Sequence, residues 1–136
     1  MRSISLLLIF GSAIVSAQTF PQDYLIKSIY FGGGSYYVDS LQRIELKEFL
    51  DDIPDLENYN IGIHSHTDNI GGPEYNAWLS QMRSRSVEWV IRRLRTDLSQ
   101  VEIKDFGEFN PTFDNQTMEG RLKNRRVDVI LWPLVF

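Results

Sequence analysis

The feature that most limits how this chain can fold is a set of apolar residues, Leu79, Met82, Val87, Val90, Ile91 and Leu94, recurring at helical spacing. That period describes a helix with one buried face. At about 100° per residue the six fall within an arc of roughly 180°, and Arg83 lies near its middle. Asn76 and Ser86 share the arc, so the face is polar at its N-terminal end and apolar beyond it. An arginine there either snorkels out of the core or satisfies an internal carboxylate, or it faces a ligand with Asp68 opposite. Replacing Arg83 by leucine would continue the stripe. On helix geometry, stability should then stay within about 1 kcal/mol of the wild type.

Ahead of that helix, His66-Thr67-Asp68-Asn69-Ile70-Gly71 ends a strand in an acid and follows it with a glycine loop. The loop position of Asp68 predicts that Asp68→Asn costs little stability. Tyr24 to Phe31 has the aromatic and β-branched content of a first strand, broken by Gly32-Gly33-Gly34-Ser35. This glycine run lacks the lysine and spacing of a nucleotide loop and reads as a plain turn. Asp39 is placed to cap a helix reaching about Ile53, with Leu41, Leu46, Phe49, Leu50 and Ile53 largely on one side and Pro54 closing it.

Tyr59 to Ser65 forms the second strand, where alternation puts Ile61, Ile63 and Ser65 on one face and Gly62, His64 and His66 on the other. The central helix should fade near Thr96. Val101 to Phe106 is a third strand ended by Gly107, residues 116–122 hold a short helical turn, and Arg126 to Trp132 is the last strand. The order strand, helix, strand, helix, strand, strand predicts an α+β fold: a two-layer sandwich with helices on one face of a mixed β-sheet. Arg121, Lys123, Arg125 and Arg126 form a basic cluster that is either a solvated surface or the rim of an anionic site.

Arg2, the apolar run Ile4 to Val15 and the small residues before Gln18 predict a secretory signal over residues 1–17 and one domain over 18–136. The run falls short of the about 20 residues of a comfortable membrane span. Export implies a periplasmic address, with association to the outer membrane or wall through whatever the domain binds. There is no cysteine, which excludes disulfides, a thiol nucleophile and a lipidated cysteine. A net charge of −4 argues against general affinity for nucleic acid.

These residues resemble the OmpA-like C-terminal, peptidoglycan-binding domain family. The resemblance rests on His66-Thr67-Asp68 with Gly71; on Asn76, Leu79-Ser80, Arg83 and Val87; and on Gly107-Glu108, Pro111, Asn115, Thr117, Gly120-Arg121 and Asn124-Arg125-Arg126-Val127. It implies a non-catalytic, cofactor-free domain in which Asp68 and Arg83 hold the diaminopimelate of a peptidoglycan stem peptide. Asn76 and Thr67 join them as ligand-binding residues, with Asn69, Arg125 and Arg126 as secondary candidates. The chemistry is apt, since the free end of diaminopimelate carries an ammonium and a carboxylate on one carbon and arginine meets a carboxylate with two parallel hydrogen bonds. Backbone amides at the start of the Asn76 helix would favour the same carboxylate. Ser65, Ser84 and Asp105 depart from the family's usual glycine, alanine and glycine. No barrel, lipid or stator helix accompanies the domain in this sequence, which points to a protein partner in the envelope.

Two other readings compete. His64, His66 and Asp68 form a His-x-His-x-Asp run that can supply zinc ligands to a hydrolase. Alternatively, the fold serves as an interaction subunit that has lost its ligand.

Overall fold

The computed structural model describes residues 24–95 and 100–134. The expected signal segment, the start of the domain at Gln18 and the fade of the central helix at Thr96 lie outside them. Among the described residues four strands and three helices alternate: β1 (Leu25–Tyr30), α1 (Ser40–Asp51), a 3₁₀ turn (Leu56–Asn58), β2 (Tyr59–His66), α2 (Pro73–Leu94), β3 (Val101–Gly107), α3 (Met118–Asn124) and β4 (Arg126–Pro133). The sheet runs β1-β4-β2-β3, with β2 and β3 parallel and both other pairings antiparallel. The parallel pair needs a crossover, and α2 supplies it. This is the mixed α+β sandwich that the alternation of elements predicts.

One sheet face carries Ile29, Ile61, Ile63, Val127, Val129 and Leu131 into a core closed by Leu46 and Leu50 of α1 and Val87, Val90 and Ile91 of α2. Asp39 starts α1 through a reciprocal cap: its carboxylate accepts the Gln42 N–H at 2.8 Å, and the Gln42 side chain accepts the Asp39 N–H at 3.0 Å. Leu41, expected on the buried side of α1, is 64% exposed, because the helix turns Leu46 and Leu50, with Phe49 partly buried beside them, onto the core.

The helical turn expected over 116–122 is a full short helix. Thr117 caps it by accepting the Gly120 N–H, and Gly120 packs so tightly on the Asp114 carbonyl that any side chain there would overlap it. Buried Asn124 then clips the preceding loop, accepting the Phe113 N–H at 3.1 Å and donating to the Phe113 carbonyl at 2.8 Å. These contacts fix where α3 ends, and the residue that follows it is Arg125.

Candidate functional site

At the end of β2 the register with β3 slips, so that Ser65 faces Asp105 but His66 faces Gly107. The slip turns the chain out of the sheet. Thr67 donates its N–H to the Gly107 carbonyl at 2.8 Å and its hydroxyl to the Asp68 carbonyl at 2.9 Å. Ser80 of α2 locks the same corner, donating its hydroxyl to the Ser65 carbonyl and accepting the Gly107 N–H. Asp68 is thereby turned towards α2.

It lines a cavity of about 160 Å³ together with Gly33, Gly34, Tyr75, Asn76, Leu79, Arg83 and Arg125. Asp68, Asn76 and Arg83, spread over 16 positions of sequence from 68 to 83, are thus gathered on one small volume. The charges, however, are paired differently from the expectation. Arg83 does not bond Asp68. It is 1% exposed and donates Nε to the Ser35 carbonyl at 2.8 Å, Nη1 to the His66 carbonyl at 3.3 Å and Nη2 to the Gly32 carbonyl at 3.0 Å. Its guanidinium carbon also sits 5.1 Å from the centre of the Phe31 ring. The direct partner of Asp68 is Arg125, whose Nε donates to Oδ2 at 2.6 Å, while Oδ1 accepts the Ile70 N–H at 3.0 Å. Burial lowers the Arg83 pKa to about 10; the nearby Asp68 carboxylate opposes that shift and Arg125 adds to it. Arg83 stays charged at neutral pH.

Asn76 is oriented by Glu108, whose carboxylate accepts its Nδ2–H at 2.8 Å. A carboxylate only accepts, so the amide nitrogen must face Glu108, and the buried Oδ1 has no donor among the described residues. The helix begins three residues before Asn76, at Pro73, which has no N–H to offer. Asn76 therefore sits inside the first turn, where its own N–H is already bonded to the Gly72 carbonyl.

The other candidates separate from this cavity. Thr67 shapes the corner without lining it, and Asn69 is exposed on the loop beyond. Arg126 points to the opposite face of the sheet, where its Nε meets both Asp128 oxygens at 3.1 Å; it is the first residue of β4, whereas Arg125 is the cap of α3 and lies outside the strand. His64 and His66 share that far face, as alternation predicts, packing on Phe106 and, for His64, Trp132. The His-x-His-x-Asp run does not converge, because Asp68 turns away to Arg125. Among the described residues no group of three histidines, cysteines or acids is placed to hold a metal.

Burial pushes the His66 pKa down to about 4, helped by Arg126 and opposed by Asp128. Asp128 lies 3.9 Å from Nε2, yet its oxygens are committed to Arg126 and Ser28, so it does not hold a proton on the ring. Burial also lowers the pKa of His64. The folded state thus holds His66 neutral where the unfolded chain would protonate it. Stability is fully present above the unfolded value of 6.5 and is lost as pH falls towards about 4. Urea denaturation should show unfolding free energy dropping by up to about 1.4 kcal/mol per pH unit in that window for one proton taken up. His66→Gln should flatten the drop; an unchanged slope in that variant would overturn the assignment.

Sequence reasoning named Arg125 only among the secondary residues and missed the Glu108 contact to Asn76. Two departures treated separately prove to be partners, since the Ser84 hydroxyl donates to the Asp105 carboxylate. A wider groove of about 370 Å³ between residues 36–38 and α2 is lined by Tyr37, Trp89, Arg43 and Arg85, with no carboxylate among its walls.

Comparison with known proteins places this geometry among relatives. The OmpA family profile matches residues 30–125. The outer-membrane lipoprotein YfiB of Pseudomonas aeruginosa is 38% identical over 71 residues, 52% of this chain and 42% of that protein. Motility protein B of Bacillus subtilis is 40% identical over 79 residues, 54% of this chain and 30% of its own length. The chain spans less than half the length of both relatives. Among solved structures, the peptidoglycan-associated lipoprotein from Burkholderia pseudomallei superposes with a TM-score of 0.70 at 26% identity, covering 78% of this chain and 90% of that one.

Proposed function

Since the chain belongs to the OmpA family, we propose that it binds cell-wall peptidoglycan in the bacterial envelope, seating the free end of a stem-peptide diaminopimelate in the Asp68 cavity. The observation that carries this reading is a single small cavity walled by one buried carboxylate and two guanidiniums. An amino-acid zwitterion presents an ammonium and a carboxylate on one carbon, and a wall of both signs can neutralise both at once. Asp68 takes the ammonium, and the arginine side takes the carboxylate. The role proposed for this arrangement is binding, by neutralising the two charges of the ligand.

The relatives support the same setting: one is an outer-membrane lipoprotein, and a structural neighbour is a peptidoglycan-associated lipoprotein. The reading includes export by residues 1–17 and a mature domain from Gln18. It also leaves room for an envelope protein partner that would connect the bound wall to another component.

The test is co-sedimentation of the purified protein with isolated sacculi, with free meso-diaminopimelate as competitor. The protein should pellet with sacculi and be released by the competitor. Failure to pellet would overturn wall binding and favour an interaction subunit with an idle pocket. Pelleting that the competitor leaves unchanged would move the binding surface away from Asp68.

A further inference from the structure

We propose that Arg125 is the residue that makes the cavity selective for a zwitterion, through an exchange of ion pairs; this rests on the binding reading above. In the structure both Asp68 oxygens are engaged, one by the Ile70 N–H and one by Arg125 Nε at 2.6 Å. Each oxygen keeps a second lone pair, but Asp68 is only 6% exposed, and the exchange has the incoming ammonium take the place that Arg125 fills at Oδ2. The two cations of the cavity are unequal in what they still have to offer. A guanidinium carries five N–H donors. Three Arg83 nitrogens already donate to the Gly32, Ser35 and His66 carbonyls, whereas Arg125 uses only Nε. Its Nη1 and Nη2 meet no protein acceptor among the described residues, leaving a free fork on the cavity wall.

The side chain also has somewhere to go. Arg125 lies across Gly33, its guanidinium 3.6 to 3.7 Å from where a Cβ would stand, so no side chain at 33 hems it in. Its backbone stays anchored, the Arg125 carbonyl accepting the Phe31 N–H at 2.9 Å. On binding, the ligand ammonium replaces Arg125 at Asp68 and the ligand carboxylate receives the released fork, so no charge is left alone. A ligand with an ammonium only would strand Arg125, and one with a carboxylate only would set a second anion beside Asp68 on the same guanidinium with no ammonium to balance it. Either is penalised. Selectivity comes from breaking an internal pair and needs both halves of the zwitterion to restore it.

Three tripeptide probes test this by calorimetric titration. They share the same first two residues and end in meso-diaminopimelate, in L-lysine (ammonium only at the far end) or in L-α-aminopimelate (carboxylate only). Wild type should prefer the diaminopimelate peptide by about 30-fold or more over each of the others, the scale of one stranded charge. In Arg125→Gln the lysine peptide should bind more tightly than it does to wild type, since nothing need be displaced from Asp68, while the diaminopimelate peptide weakens and the preference collapses. Arg125→Lys keeps the charge without the fork and should retain part of the preference, which guards against a variant that folds poorly. A merely structural Arg125 would weaken all three peptides together, and that result, or an unchanged preference in Arg125→Gln, refutes the exchange. Wild type that pellets with sacculi but binds the three peptides alike refutes the exchange and leaves wall binding standing. Wild type that binds neither sacculi nor peptides removes both.

Discussion

Arg83→Leu is expected to lower the unfolding free energy by about 1 to 3 kcal/mol, the range for leaving a buried acceptor, here the His66 carbonyl, without its donor. The leucine would fit the apolar stripe, and helix periodicity alone therefore favours a neutral outcome. The structure reverses that expectation. Arg83 ties the Gly32 and Ser35 carbonyls of the β1–α1 loop to the His66 carbonyl at the end of β2. A leucine at 83 supplies none of those bonds. The carbonyls on the glycine loop can regain water, which limits the loss; His66 is buried and its carbonyl cannot. Asp68 would also lose a neighbouring positive charge. Urea denaturation of Arg83→Leu beside Arg85→Leu checks this, because Arg85 is exposed on the opposite side of the helix and its loss should stay within about 0.5 kcal/mol. Equal stability of the two variants would show that Arg83 is held for ligand alone.

The reversal marks where the sequence stops being informative. Spacing shows which side of a helix a residue occupies, and Arg83 does lie among Leu79, Val87 and Val90 on the buried side. It cannot show which atoms meet the guanidinium, because the three carbonyls belong to segments up to 51 residues away. The strands were legible for a related reason: alternation in β2 is local, and Ile61 and Ile63, read as sharing one face, lie together in the core, where Val127 and Val129 of β4 join them. Arg125 and Arg126 show the opposite case. Both belong to one basic cluster in the sequence, yet one closes the cavity and the other crosses to the far face, because the helix ends between Asn124 and Arg125 and the strand begins at Arg126. The Ser84 and Asp105 contact was illegible as well. Each looks like an isolated departure until α2 is laid on β3.

Asp68→Asn is expected to weaken sacculus binding by about 30-fold or more, from the roughly 2 to 5 kcal/mol that an unpaired buried charge costs at an interface. A purely loop-borne Asp68 would tolerate the change freely, but the side chain is buried and bonded through both oxygens. An asparagine has one acceptor where the aspartate has two. Whichever way the amide turns, its NH₂ faces a donor, either the Ile70 N–H or Arg125 Nε. We therefore expect a stability loss of about 1 to 2 kcal/mol, moderated because Arg125 is partly exposed and can turn to water. Circular dichroism melts establish that the variant is folded before pelleting is compared. The double variant Asp68→Asn, Arg125→Gln then separates the two roles of the acid. With the stranded guanidinium gone, part of the lost stability should return, whereas pelleting should not, because no carboxylate remains for the ammonium. Recovery of pelleting in the double variant would mean that Asp68 serves only to hold Arg125 in place, and the ammonium would have to be bound elsewhere.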